Sequence, residues 1–101
     1  MSYLRITVAT WKIDLNSAEG QELIGTMEQE GTPLLLRQPG FVRCQIIVPD
    51  AHTTVHLEEW ASGDYATAGT KALMQWVQDS GQVQQLDGRP QSYSGAIRVS
   101  S

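Results

Sequence analysis

The sequence predicts an α+β fold in which two helices cover one face of an antiparallel sheet. Three observations lead to this prediction: four short segments rich in β-branched residues, two longer segments with helical periodicity between them, and turn residues at the junctions. At 101 residues the chain has the size of one domain, so we expect a single domain over residues 1–101. Its composition, 41% hydrophobic and 18% charged, is typical of a folded globular protein.

The first strand and the first helix occupy the beginning of the chain. The segment Leu4–Ile13 is rich in β-branched residues, and in it Leu4, Ile6 and Val8 alternate with Arg5, Thr7 and Ala9, which predicts a strand with two distinct faces. Asn16 and Glu19 have the spacing of a capping box, which predicts that a helix begins near Ser17. Pro33 has no backbone N–H to donate, so we expect this helix to break or kink there and to resume as a short piece.

Two further strands, a second helix and a last strand follow. Phe41–Val48 and Thr53–Trp60 are rich in β-branched residues and flank a short turn, which predicts an antiparallel hairpin. Ser62 is a favourable N-cap for a helix that ends near Ser80, and the final strand is expected over Ser92–Val99. One face of the earlier hairpin strand is expected to carry Val42, Cys44, Ile46 and Val48. The apolar stripe of the second helix is expected to consist of Tyr65, Ala68, Ala72, Leu73, Trp76 and Val77.

The resulting order of elements, β-α-β-β-α-β, is that of the ferredoxin-like fold, a four-stranded antiparallel sheet with two helices on one face. In this arrangement the opposite sheet face has no helix to cover it. A bare face rich in Ile, Val and Leu is unfavourable in water, above all in so small a chain. We therefore expect a homodimer that forms through the bare sheet face.

Charge, hydropathy and cysteine content exclude several classes of protein. The chain has 7 Lys and Arg against 11 Asp and Glu, a net charge of −4, and no basic cluster that could bind nucleic acid or an anionic membrane. No apolar run approaches the ~20 residues that span a bilayer, and the N-terminus has no export signal, so a cytoplasmic location is expected. The single cysteine, Cys44, excludes an internal disulfide and a multi-cysteine metal centre.

Two segments of the sequence resemble the antibiotic biosynthesis monooxygenase family. Pro33–Val42, PLLLRQPGFV, is similar to the family's PLL…PGF segment, and Leu57–Ser62, LEEWAS, is similar to the W-x-S segment that opens the second helix. In spacing, the resemblance extends over Leu4–Val99. It implies a dimeric α+β barrel, in which the sheets of two subunits close around each other and each subunit has a pocket between sheet and helices.

The resemblance implies a range of activities and not a single one. Some members of this family oxygenate polycyclic phenols without metal or flavin, some oxidise hydroquinones, and others degrade haem, isomerise small molecules or have no known activity. In the polyketide-oxygenating members a Trp at the position of Trp60 lines the site, which implies the same place for Trp60 here. The alternative is that Trp60 fills the space between sheet and helix as a packing residue.

His56 is the leading candidate for acid–base chemistry. It lies four residues before Trp60, so both side chains point to one face of a regular strand. Where the oxygenase members commonly carry Asn, a His could donate a hydrogen bond to a substrate oxygen or accept a proton near neutral pH. Glu58, between the two, is costly to bury unless it pairs with His56 or with a cation such as Arg43 or Arg98. A carboxylate beside His56 is expected to raise the pKa of the imidazole.

Two further aromatic residues complete the candidate site. Tyr65 follows Trp60 by five residues, one fewer than in the oxygenase pattern, so it is either a second hydrogen-bond donor or a core residue. Trp11, near the end of the first strand, is expected to form a wall of the pocket. The candidate catalytic residues are therefore His56 and Tyr65, and the candidate substrate-binding residues are Trp60, Trp11 and Glu58.

No cofactor and no metal ion are expected. The haem-degrading members need an Asn on the first strand and a His on the second helix. This sequence has no Asn on the predicted first strand and no His on the predicted second helix. His52 and His56 lack a recognised metal-binding spacing, and the sequence contains neither a phosphate-binding loop nor a dinucleotide fingerprint. We assign no chemical role to His52 or to Cys44, which has the pattern of a small buried residue.

The leading hypothesis is a cofactor-independent monooxygenase or oxidase of a small reduced aromatic compound, such as a polycyclic phenol or a hydroquinone. In this hypothesis His56 acts as donor or base, and the aromatic anion passes an electron to oxygen. Two alternatives stay open: a binding or stress-response barrel protein that holds a small apolar or aromatic ligand without turnover, and a small-molecule isomerase. The sequence alone does not decide whether the protein is an enzyme.

Overall fold

The strands and helices follow one another along the chain in the predicted order, β-α-β-β-α-β. The structure, a computed structural model, describes residues 2–101. Its strands are β1 (Tyr3–Thr10), β2 (Phe41–Asp50), β3 (Thr53–Trp60) and β4 (Gln91–Ala96). Its α-helices are α1 (Ala18–Thr26), α2 (Thr32–Leu36) and α3 (Gly63–Asp79). A π-helical turn, Met27–Gly31, joins α1 to α2, and a 3₁₀ turn, Gln82–Gln85, follows α3.

The strands form one antiparallel sheet in the order β2-β3-β1-β4. This is the strand order of the ferredoxin-like fold, so the predicted fold class, α+β with the helices on one sheet face, is confirmed. Because side chains alternate along a strand, every second residue of β1 and β3 faces the helices. On the helix-covered face these are Tyr3, Arg5, Thr7, Ala9, Thr54, His56, Glu58 and Trp60.

Ser17 caps the first helical segment, and Pro33 is accommodated inside it. The Ser17 hydroxyl accepts a hydrogen bond from a backbone N–H of the first turn at 3.1 Å, so the predicted cap at Asn16 is wrong by one residue. The α-helix is interrupted just before Pro33, as predicted, but by a π-helical turn, and it resumes as the short α2. In the wider π-helical turn the Thr32 N–H donates to the Met27 carbonyl, and Pro33 falls in the first turn of α2, where a missing N–H costs little.

The strands depart from the predicted regularity at their ends. β1 and β4 end three residues earlier than predicted. The register of β2 against β3 shifts near each end of β2, as it does at β-bulges. Between the shifts Cys44 and Ile46 pack towards the core, but Val42 and Val48 are 48% and 43% exposed. The predicted single face of four residues is therefore wrong at both ends, because each bulge inserts an extra residue.

α3 has the predicted N-cap, and its inward face departs from the predicted stripe at the N-terminal end. The Ser62 hydroxyl accepts a hydrogen bond from the Tyr65 N–H at 3.3 Å. The buried residues of α3 are Ala66 and Gly69, whereas the Tyr65 side chain is 45% exposed, so the predicted apolar stripe is wrong at its N-terminal end. The Trp60 ring explains the small inward residues, because a Cβ on Gly69 would collide with it.

The core consists of two clusters of buried side chains between the sheet and the helices. One gathers around Trp11, Leu15 and Met27, and the other around Leu35 and Trp60. Within residues 2–101, no helix is long and apolar enough to cross a membrane.

The opposite face of the sheet carries no helix within residues 2–101. We call it the open face; its apolar residues are Leu4, Ile6, Val8, Ile47, Val55, Leu57 and Tyr93. These side chains are neighbours, because Ile6 lies opposite Leu57 on one side and Tyr93 on the other. Ile47 and Tyr93 are 53% and 60% exposed.

Candidate functional site

A cavity of about 300 Å³ lies between the sheet and the helices. Its apolar wall includes Trp11, Met27, Leu35, Ile46, Leu73 and Trp76. Its longer polar side chains are Arg5, His56, Glu58, Gln82 and Arg89. A mostly apolar cavity with a few converging polar groups is the usual form of a small-molecule binding site. The cavity is therefore the candidate functional site.

His56 belongs to a chain of hydrogen bonds along the cavity wall. The Trp11 Nε1–H donates to Thr54 Oγ1 at 2.9 Å, and Thr54 Oγ1 lies 2.8 Å from His56 Nε2. Because the Thr54 oxygen accepts from Trp11, its own proton is available for Nε2 of the imidazole. When Thr54 donates to Nε2, the imidazole proton lies on Nδ1, and His56 can then donate a hydrogen bond to a ligand through Nδ1.

The imidazole of His56 is neutral at physiological pH. Burial lowers its pKa from 6.5 to about 4, and the positive charge of Arg5 acts in the same direction. The predicted rise of this pKa beside Glu58 is therefore wrong, because burial dominates and Arg5 neutralises the carboxylate. A base with so low a pKa takes up a proton poorly near pH 7, so His56 is better suited to donate a hydrogen bond.

Glu58 and Arg5 form a buried ion pair at the cavity. The Glu58 side chain is 2% exposed, and its Oε2 lies 3.5 Å from Nη1 of Arg5. Its Oε1 accepts a hydrogen bond from Trp60 Nε1 at 3.3 Å. Burial raises the pKa of Glu58, while Arg5 and the hydrogen bond from Trp60 oppose that rise.

The register between β1 and β3 decides the partner of Glu58. Arg5 stands directly opposite it, so neither of the predicted cations, Arg43 or Arg98, forms this pair. Arg43 instead pairs with Glu59 on the open-face side, with 2.9 Å between Nη2 and Oε1. Which cation a buried strand carboxylate meets depends on strand pairing, which the sequence pattern does not specify.

Trp60 lies beneath the cavity wall and does not form part of it. Its side chain is fully buried, and its ring meets that of Phe41 edge-on with the centroids 5.3 Å apart. On its other side the ring packs under Gly69. Trp60 therefore lies where a packing residue between sheet and helix would lie. It contacts the site through the hydrogen bond that its Nε1–H donates to Glu58.

The other two aromatic candidates take different positions. Trp11 is 3% exposed and lines the cavity, as expected. Tyr65 does not line it; its ring packs over Gly40, whose φ of 75° and lack of a Cβ allow the close approach. Tyr65 therefore lacks the contact with the cavity that a donor role requires.

Arg5, Gln82 and Trp76 are among the cavity residues that the sequence does not identify as part of a site. Trp76 is expected only as part of a packing stripe, and Arg5 only as a strand residue. Gln82 is 6% exposed, and its Nε2 has no hydrogen-bond partner within residues 2–101. No sequence signal marks Gln82, because a glutamine just after a helix is ordinarily exposed to solvent.

The remaining His and Cys side chains differ in their relation to the cavity. His52 lies in the β2–β3 turn, where its Nδ1 is 2.9 Å from the carbonyl oxygen of Ile13. Cys44 lines the cavity, and burial raises the pKa of its thiol to about 11, with a further contribution from Glu58. Among residues 2–101, no three His, Cys, Asp or Glu side chains are grouped so that they could hold a metal ion.

Comparison with known proteins gives matches of structure but not of sequence. No protein-family model and no curated protein matches the chain. A Nitrosomonas europaea protein, provisionally named an antibiotic biosynthesis monooxygenase, has a TM-score of 0.74 and 16% identity over 96% of this chain and 90% of its own. A monooxygenase from the gene ActVA-Orf6 of Streptomyces coelicolor, in complex with Nanaomycin D, has a TM-score of 0.74 and 13% identity over 99% and 90% of the two chains. SnoaB, a cofactor-independent oxygenase from Streptomyces nogalater, has a TM-score of 0.72 and 14% identity over 98% and 95%.

These solved structures share the fold of this chain. They include the kind of monooxygenase that Pro33–Val42 and Leu57–Ser62 resemble, so the predicted resemblance is confirmed for the fold. Identities of 13–16% establish the fold alone, and the chemistry has to be argued from the cavity.

Proposed function

We propose that this protein is a cofactor-independent oxygenase or oxidase of a small reduced aromatic compound, such as a polycyclic phenol or a hydroquinone. The observation that carries the proposal is the cavity, whose apolar, partly aromatic walls surround a neutral His56 and a partly buried Arg5. Two proteins of the same fold, named as a monooxygenase and as a cofactor-independent oxygenase, support this class of reaction.

The reaction needs an electron-rich anion and molecular oxygen held together in little water. A hydroquinone gives up two protons and two electrons to O₂, which yields the quinone and hydrogen peroxide. A polycyclic phenol in its keto form exchanges the two hydrogens of a reactive CH₂ for one oxygen atom of O₂, and the other oxygen leaves as water. In both cases loss of a proton comes first, because the anion transfers an electron to O₂ more readily than the neutral molecule does.

The cavity residues have separate tasks in this proposal. Trp11, Trp76 and the aliphatic walls hold the ring system and exclude water. The Nδ1–H of His56 donates a hydrogen bond to a ring oxygen, and the guanidinium of Arg5 favours the anionic form of that oxygen.

The test is oxygen uptake by the purified, metal-free protein with a panel of hydroquinones and anthrone-like phenols. We expect His56→Leu to lower the rate by ~10²-fold, because it removes a donor that acts in the transition state. His56→Asn is the matched variant: it keeps a neutral donor and should stay within about tenfold of the wild type. Equal loss in both variants would mean that His56 acts as a base.

Two other outcomes separate the proposal from its alternatives. Tight binding of the aromatic compounds without oxygen uptake would indicate a binding protein. Rearrangement of a compound under strictly anaerobic conditions would indicate an isomerase. Uptake that survives both His56 variants would keep the enzyme class and remove His56 from the site.

A further inference from the structure

We propose that Glu58 accepts the proton of a hydroxyaromatic ligand in the cavity and that Arg5 then holds the resulting aromatic oxyanion. The inference rests on the proposed function for the class of ligand alone, and its test contains no oxygen. It gives the buried ion pair a chemical role and separates the proton acceptor from the donor, His56.

The geometry brings both groups of the pair to the cavity. Arg5 and Glu58 face each other across β1 and β3, both line the cavity, and 3.5 Å separates Arg5 Nη1 from Glu58 Oε2. The contact is long for a charge-assisted hydrogen bond, and Nη2 of Arg5 makes only a 3.3 Å contact, to Ser92. A guanidinium has five N–H donors, so several are available to an oxyanion placed beside it.

The proton and charge balance of the step suits a buried site. The ligand O–H bond breaks, the proton moves to a carboxylate oxygen of Glu58, and the electron pair of the bond stays on the ligand oxygen. The oxyanion then replaces the Glu58 carboxylate as the counter-ion of Arg5. The total charge of the cavity is unchanged, which avoids the large cost of placing an uncompensated charge in a protein interior.

The other titratable groups around the pair are unsuited to take the proton. Nε2 of His56 already lies 2.8 Å from Thr54 Oγ1, and burial lowers the pKa of the imidazole to about 4. Cys44, opposite Glu58 in β2, is a neutral thiol, and Arg89 adds only positive charge to the cavity. Within residues 2–101, the helices contribute only uncharged side chains to the cavity wall. Burial also raises the pKa of Glu58, which brings the carboxylate closer to a phenol in proton affinity.

The test is anaerobic binding of 4-nitrophenol and of a hydroxyanthraquinone, whose absorption spectra report their ionisation, at a pH below the pKa of each probe in water. In the wild type we expect the bound probe to show the oxyanion spectrum. We also expect calorimetry in two buffers of different ionisation enthalpy to detect no net proton release, because the proton stays on Glu58.

Two variants separate the roles of the pair. In Glu58→Gln the guanidinium of Arg5 loses its carboxylate counter-ion, so the probe should still bind as the oxyanion. Because the introduced amide cannot take the proton, about one proton per bound molecule should be released to the buffer. The double variant Arg5→Gln/Glu58→Gln removes both charges of the pair, so it keeps the charge balance and can be tested even if the single variant does not fold. In the double variant the probe should bind in its neutral form.

Several results would overturn the inference. In the wild type these results are a bound probe with the spectrum of the neutral form, a bound oxyanion whose proton is released to the buffer, or no binding of either probe. In the double variant the contradicting result is a bound probe with the oxyanion spectrum. Failure of the proposed function is a different result, because a protein that ionises the probe as described but takes up no oxygen would lose only its assignment as an oxygenase.

Discussion

His56 is the residue whose ionisation links the cavity to the stability of the whole chain. Between pH 6.5 and about 4, the unfolded chain binds a proton on this imidazole that the folded chain does not bind. The free energy of unfolding should therefore fall as the pH drops through this window, by up to about 3 kcal/mol from this group. His56→Asn cannot titrate, so it should lose less stability than the wild type between neutral pH and about pH 4.5 in urea unfolding.

Glu58 contributes to the same pH range with the opposite sign. Its pKa is raised in the folded protein, so its contribution to stability is present below 4.5 and is lost as the pH rises through the folded-state pKa. The wild type and His56→Asn both retain Glu58, so the contribution of Glu58 cancels when their stabilities are compared. Parallel loss of stability in the wild type and in His56→Asn would contradict the low pKa of the imidazole.

Gln82 is a buried polar residue whose Nε2 has no hydrogen-bond partner in the part of the chain that the structure describes. Gln82→Met keeps a similar side-chain volume and removes the buried amide, so we expect it to raise the free energy of unfolding by about 1 kcal/mol. Thermal or urea unfolding measures the change. Gln84→Met, at an exposed position of the same 3₁₀ turn, is the control and should have little effect. Destabilisation by Gln82→Met would show that the amide has a favourable partner.

At the scale of the elements, the distance between α3 and the sheet depends on Gly69. A Cβ at this position would collide with the ring of Trp60, which is fully buried and cannot move aside easily. We expect Gly69→Ala to lower the free energy of unfolding by about 1–3 kcal/mol through overpacking. Gly25→Ala is the matched control, because a Cβ there meets nothing within 4 Å. It should stabilise α1 by up to ~1 kcal/mol, and equal effects of the two substitutions would refute the packing argument.

The sequence predicts an element well where its own residues determine the structure. The bounds of β3 agree with the prediction, because a β-branched run begins at Thr53 and the Ser62 N-cap follows its end. The bulges of β2 are not predicted, because they appear only where β2 pairs with β3, and alternation along one strand does not specify that pairing. The π-helical turn Met27–Gly31 is not predicted either.

The same distinction applies to the candidate site. Alternation along β3 places His56 and Glu58 on the helix-covered face, as predicted. Arg5 reaches the site only through the register between β1 and β3, and Gln82 only through the packing of the 3₁₀ turn. Tyr65 is absent from the cavity wall because the large Trp60 ring turns Ala66 and Gly69 inward, a fact of three-dimensional packing.

At the scale of the whole molecule, the open face is an apolar sheet surface that no helix covers within residues 2–101. We infer that a second copy of this chain covers it, because its apolar residues form one continuous surface across the strands. Light scattering at micromolar concentration should give the mass of a dimer. Tyr93→Glu should shift the protein to a monomer, since it places a charge at the most exposed apolar position of this surface.

The control for this prediction is Val83→Glu, which places the same charge on an exposed apolar residue of the 3₁₀ turn, away from the open face. It should leave the mass unchanged. A monomer mass for the wild type, or dissociation by both variants alike, would contradict an interface at the open face.

The positions of the tryptophans have a spectroscopic consequence. The chain has 3 Trp residues. Trp11 and Trp76 line the cavity, and the indole N–H of Trp60 donates to Glu58. The tryptophan component of the intrinsic fluorescence therefore comes entirely from indoles at or beside the cavity. An aromatic compound that enters should quench this emission or accept energy from it, so the protein carries its own label-free reporter for screening a compound library.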